Sequence, residues 1–102
     1  MNQHDFAIVF ADVSGSSRLY KEVGDAAARM LIAEAVARMI TAVNSHSGSV
    51  VKTIGDEVMA RFPSAETAVA AAILMQQQAQ NPIDGQLLPL RIGVNFGSTI
   101  LD

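Results

Sequence analysis

The residues SGSVVKTIGDEVMARF, positions 47–62, read as a β-hairpin, and the rest of the chain can be laid out around it. Ser49 to Ile54 and Glu57 to Phe62 are the two strands, joined by Gly55-Asp56, a dipeptide that favours a tight two-residue turn. Upstream, from about Asp25 to His46, Ile32, Val36, Met39, Ile40 and Val43 recur at helical spacing on one face. Arg29, Glu34 and Arg38 fall off that stripe, and Gly48 is the expected stop signal.

Further upstream, FAIVFADV (Phe6 to Val13) is a short run of β-branched, aromatic and small apolar residues. It is expected to be a strand buried on both faces, with Asp12 breaking the run near its end. The Ser- and Gly-rich segment SGSSRLYKEVGD links it to the long helix and should contain a helical turn. Downstream, Pro63-Ser64 opens a second helix with Ser64 as N-cap, carried to about Gln80 and ended by Asn81-Pro82. NPIDGQ reads as a loop, and Leu88 to Phe96 as a fourth strand.

The order strand, helix, strand, strand, helix, strand is that of an α+β, ferredoxin-like βαββαβ core. In that topology the first two strands run parallel with the third antiparallel between them. The end of the first strand and the hairpin turn then share one sheet edge, which makes Asp12 and Asp56 neighbours.

A chain of 102 residues, half apolar and 17% charged, is expected to fold as a single domain spanning 1–102. A net charge of −3 with no Lys/Arg cluster argues against nucleic acid or an anionic membrane as partner. The absence of cysteine excludes disulfides and Cys-based zinc sites and suits a reducing compartment, so a cytoplasmic location is expected. The longest apolar stretch, Ala68 to Met75, is far shorter than the ~20 residues of a membrane span, and MNQHD does not open a signal peptide.

Two carboxylates brought together from separate strands repel unless a cation lies between them, and such oxygen ligands suit Mg²⁺ or Mn²⁺. Two ions ~3.5–4 Å apart are a common device of phosphoryl transfer. The plainer reading gives Asp56 to the turn and makes Asp12 a cap for the following segment. The segment Ser14-Gly15-Ser16-Ser17 precedes a helical turn, so its backbone N–H groups are suited to a phosphate, although a Gly/Ser loop is more often only a turn.

These segments resemble a known family. FADVSGSSRLYKEVGD is similar to the first metal motif of class III adenylyl and guanylyl cyclases, SGSVVKTIGDEVMARF to their second, and RIGVNFG to the Arg-Ile-Gly strand that follows. The resemblance covers nearly the whole chain and marks it as the N-terminal portion of a cyclase catalytic domain. It implies that Asp12 and Asp56 hold two divalent cations, Mg²⁺ or Mn²⁺, with help from the backbone carbonyl of Val13. It implies that Ser14, Gly15, Ser16 and Ser17 face the β- and γ-phosphates, and that Lys52 recognises adenine where guanylyl cyclases usually carry glutamate.

The implied activity is conversion of ATP to cyclic AMP and pyrophosphate in a head-to-tail homodimer. One chain would lend the aspartates to a site and the other Lys52. The family's later purine residue, its ribose-orienting asparagine and its transition-state arginine have no counterpart in these residues. The chain thus reads as a domain cut short after its fourth strand, weak or inactive when isolated. The alternative is a catalytically incomplete module that binds nucleotide and metal or only dimerises. Asn95 and Ser98 depart from the family's usual histidine and proline, and His4 and His46 are read as solvated loop residues. An RNA-binding sheet would need a basic face and exposed aromatics, and the hairpin sequence IGDEV lacks a diguanylate-cyclase signature.

Overall fold

The computed structural model describes residues 2–101, with side chains from 6 to 97. The elements run β1 (Asn2–Val13), α1 (Ser16–Val23), α2 (Asp25–Ser45), β2 (Ser49–Ile54), β3 (Glu57–Phe62), α3 (Ala65–Ala79) and β4 (Leu90–Leu101). The four strands form one antiparallel sheet in the order β2-β3-β1-β4, the arrangement expected of a ferredoxin-like core. The expected helical turn after β1 is a full two-turn helix, α1.

β1 differs from the strand buried on both faces that its composition suggested. Ala7, Val9, Ala11 and Val13 are buried, whereas Phe6, Ile8, Phe10 and Asp12 are only half-buried. The helices pack over one face of the sheet, so the other stays open and the strand alternates as antiparallel strands do. β3 repeats the pattern with Val58, Ala60 and Phe62 inward. On the open side the Arg61 guanidinium lies 5.0 Å from the centre of the Phe6 ring, an exposed cation–π contact.

On α2 the buried stripe is rotated from the one the large residues mark. Ile32, Met39 and Val43 are inside, but Val36 and Ile40 are half-buried at its flank. Ala28, Ala35 and Ala42, spaced seven apart, take the inner line, where small side chains let the helix lie close to its neighbours. Arg38, off the stripe, ties α2 to the end of α3. Its Nη1 donates to Gln78 O at 3.0 Å, a carbonyl that also accepts from Asn81 N–H, and to Asn81 O at 2.9 Å just past the helix end.

α2 ends in a Schellman-type turn. Gly48 N–H donates to Val43 O at 2.9 Å, and the left-handed residue is Ser47 rather than the expected Gly48. Gly48 is needed for space instead. A Cβ there would lie 2.5 Å from Phe62 Cε2 and 2.8 Å from Val43 Cγ1. His46 is the half-buried C-cap of α2, with Nδ1 3.1 Å from Ala42 O, and His4 lies on β1, so neither is in a free loop.

At α3 Ser64 caps as expected, its Oγ accepting from Thr67 N–H at 3.1 Å. The segment read as a loop contains a tight turn, with reciprocal bonds between Ile83 and Gln86 and positive φ at Asp84 and Gly85. β4 begins at Leu90, two residues later than expected. Leu88 instead drops into the core and Pro89 O accepts from Ser14 N–H at 2.8 Å.

Gly48→Ala is expected to destabilise the chain by about 1–3 kcal/mol through overpacking against Phe62. Ser64→Ala should cost about 1 kcal/mol through the lost cap. Thermal unfolding checks both, at about 4–8 °C per kcal/mol for a chain of this size.

Candidate functional site

Residues directly opposite in an antiparallel pair point to the same face, so the register lays out the open side of the sheet in rows. At the end nearest the hairpin turn one row runs Ile54, Glu57, Asp12, Arg91 from β2 across to β4. Lys52, Met59, Phe10 and Gly93 form the next. Lys52 reaches this face because the turn sets Ile54 opposite Glu57 and, two residues back, Lys52 opposite Met59; beyond it the pairing jumps to Val50↔Ala60, leaving Val51 as an extra residue. In a register continued unbroken from the turn Val50 would oppose Arg61 on the open face; the bulge sets it opposite Ala60, which points into the core. The bulge re-aims Val50 toward the core, a known use of such irregularities.

Asp12 is the penultimate residue of β1, and Asp56 is the second residue of the β2–β3 turn, next to Glu57, the residue opposite Asp12. The fold therefore brings both aspartates to one end of the sheet, as its topology requires. Gly55 takes φ +58 at the first turn position, which glycine adopts freely, while Asp56 keeps ordinary backbone. Among the described residues the Asp56 side chain has no hydrogen-bond partner, so the turn does not depend on it. Asp12 does not cap α1 either: the N-cap is Gly15, with no side-chain bond. The Asp12 carboxylate meets Arg91 instead, Nε to Oδ1 at 3.4 Å.

The loop between β1 and α1 is pinned to the start of β4 through Ser14, whose N–H is taken by Pro89 O. Leu19 N–H to Gly15 O, 3.1 Å, is the first bond of α1. The amides of Ser16, Ser17 and Arg18 precede it and have no partner within the helix, leaving a small positive end. A groove of about 580 Å³ runs from this helix end to the hairpin turn, lined by Ser16, Tyr20, Arg29, Ile32, Gly55 and Asp56. A second, of about 420 Å³, lies on the other side of the loop, along Ser14, Gly15, Arg18 and Gln86 to Pro89. Lys52 is exposed and lines neither groove. The Val13 side chain is buried, so only its backbone is available to a ligand.

Among the described residues no group of three or more His, Asp or Glu side chains is placed to enclose a metal ion. Two aspartates at one sheet end, one with its carboxylate uncommitted, fit a different kind of site. Hard cations such as Mg²⁺ commonly take one or two carboxylates and complete their shell with substrate phosphates and water.

Glu57 and Arg91, on either side of Asp12, are charged members of the site that motif reading passed over. The charged Arg29 and the neutral Tyr20, which line the groove with Asp56, were passed over as well. Drawing the strand register would have found the first pair, because both oppose Asp12. Tyr20 and Arg29 meet Asp56 only through the packing of α1 and α2 near the turn. Asn95 is exposed on the open face, and the side chain of Ser98 lies outside the described residues.

The model of the adenylate and guanylate cyclase catalytic domain matches residues 1–102. A Rhizobium meliloti (strain 1021) protein bearing an adenylate cyclase name is 32% identical over 100 residues, 94% of this chain and 17% of that protein. An adenylate cyclase of Streptomyces coelicolor is 30% identical over 92 residues, 90% of this chain and 24% of that protein. The chain thus spans a quarter or less of the length of these relatives. A bacterial light-regulated adenylyl cyclase superposes with a TM-score of 0.80 at 23% identity, over 98% of this chain and 57% of that one. The family model over the whole chain, with relatives 30% or more identical and a shared four-stranded fold, places the chain in the adenylate and guanylate cyclase catalytic domain family.

Proposed function

We propose that the chain is the metal-binding portion of an adenylyl cyclase catalytic domain that converts ATP to cyclic AMP and pyrophosphate. The observation that carries the reading is the convergence of Asp12, Asp56 and the N-terminal amides of α1 on one end of the sheet. In this reading Asp12 and Asp56, with the Val13 carbonyl, hold two divalent cations. Bound there, the metals would lower the pKa of the ribose 3′-hydroxyl and neutralise charge developing at the α-phosphate. Ser14 to Ser17 face the β- and γ-phosphates. Ser16 and Ser17 offer free amides, while the backbone N–H of Ser14 is committed to Pro89, so its part falls to the hydroxyl. The 3′-oxygen bonds to the α-phosphorus as the bond to the bridging oxygen of the leaving pyrophosphate breaks. The hydroxyl proton passes to solvent.

Lys52 selects adenine, and the adenylate cyclase names of the relatives favour ATP over GTP. Lys52 is exposed and absent from the groove that Asp56 and Ser16 line, which suits a head-to-tail homodimer in which it serves the partner's site. A cytoplasmic setting accompanies this reading; no helix among the described residues is long and apolar enough to cross a membrane. The rival reading, a catalytically incomplete nucleotide-binding or dimerisation module, draws on the lack of the family's ribose asparagine and transition-state arginine within these residues. Missing electrostatic donors of that kind cost on the order of 10²–10³-fold in rate, so feeble turnover by the 102-residue chain alone belongs to the proposal.

Calorimetry with Mn²⁺ and a non-hydrolysable ATP analogue tests the site. Asp12→Asn and Asp56→Asn should each weaken binding at least tenfold while leaving the unfolding midpoint within about 4 °C, since surface substitutions change stability by about 0.5 kcal/mol or less. Binding that survives both substitutions in a folded chain would overturn the metal assignment. Lys52→Glu should narrow or reverse the preference for the ATP analogue over its GTP counterpart; an unchanged preference would remove Lys52 from purine recognition.

A further inference from the structure

The row Glu57, Asp12, Arg91 sets a second carboxylate directly opposite Asp12 on one side and a guanidinium on the other. Asp56 follows Glu57's strand back into the turn, so three acidic residues gather at this sheet end. Like charges directly opposite on neighbouring strands destabilise a sheet, and the strain is greatest when no cation is bound. Among the described residues the salt bridge of Arg91 to Asp12 is the one ion pair at this end, the other joining Arg18 to Glu22 on α1.

The geometry of that bridge is suited to release. It is a single contact through Nε at 3.4 Å, without the two-pronged grip of which a guanidinium is capable. The Arg91 side chain is 75% exposed, so it can swing into water without leaving a buried charge behind, whereas Asp12 is 26% exposed and stays in its row. Arg91 is itself carried on the long β1–β4 ladder, which holds its backbone opposite Asp12 whether or not the side chains touch.

We propose that Arg91 is a positioning residue for the metal site: a tethered counter-ion that occupies Asp12 while no divalent cation is bound and gives it up when one binds. The proposal rests on the reading of Asp12 as a metal ligand. Arg91 keeps the acidic sheet end together in the empty state and competes weakly with the metal for one carboxylate oxygen. It therefore tunes the concentration at which the site fills.

Titrating the whole chain with Mn²⁺ alone, followed by electron paramagnetic resonance, tests this. Arg91→Gln should bind Mn²⁺ about two- to fivefold more tightly than wild type, the range of an exposed ion pair, with the gap closing as salt is raised. Arg91→Lys, which keeps the charge, should stay near wild type. In the metal-free chain, Asp12→Asn should shift the Arg91 Nε–H resonance in a ¹⁵N spectrum. Equal or weaker Mn²⁺ binding by Arg91→Gln, tightening by Arg91→Lys as large as that by Arg91→Gln, or an unmoved Nε–H signal would overturn the counter-ion role. If Asp12→Asn abolishes Mn²⁺ binding but Arg91→Gln leaves it unchanged, the metal assignment stands and only the role of Arg91 falls. Absence of Mn²⁺ binding in both wild type and Arg91→Gln would overturn the two together for the chain alone.

Discussion

The hydrogen bonding of β1 along both of its edges is the constraint on which the rest of the structure depends. Every other strand is placed by it: β3 pairs along one side from Ala7 to Asp12, β4 along the other, and β2 is held only through β3. Because side chains alternate with period two, that double pairing also assigns faces. Ala7, Val9, Ala11 and Val13 turn inward, where small and branched residues leave room for the helices, and Asp12 must then turn outward. The position of the candidate site is thus a consequence of core packing one residue away.

Much of this was legible in the sequence. The hairpin, the capped third helix and the strand order followed from turn chemistry and periodicity, which are local signals. The topology alone predicted that Asp12 and Asp56 meet at one end of the sheet. What local signals miss is anything decided by closeness between distant segments. The inner line of α2 runs along Ala28, Ala35 and Ala42, because packing distance, not hydrophobicity, selects the residue at the closest approach. Gly48 looked like a helix stop, but Phe62, fourteen residues later, is what forbids a side chain there.

The candidate site divides along the same line. The aspartates, the Ser/Gly loop and Lys52 were visible as motifs, whereas Glu57 and Arg91 acquire meaning only from the register. The loop also behaves differently from a free Gly/Ser turn. Tied by Ser14 to Pro89, it links the start of β4 to the start of α1, so the β1–β4 ladder orients the helix end as well as the row containing Asp12. A change at the β4 entrance, such as around Leu88-Pro89, would therefore be felt directly at Ser14 and, through the ladder, at Asp12.

The single extra residue in β2 lets the strand absorb a change of length without turning over the end nearest the hairpin. With Val51 inserted, Lys52 and Ile54 share the open face with Asp12, and Thr53 shares the other with Val58. Loss of Val51 would leave Lys52 opposite Met59 and Val50 opposite Ala60, and would only make the ladder between them regular. Changes of length at this point are thereby taken up before they reach Lys52 or the row that contains Asp12. The turn-side half of the hairpin, which carries Lys52 and Glu57 in one unbroken register, is insulated from what happens upstream of the bulge.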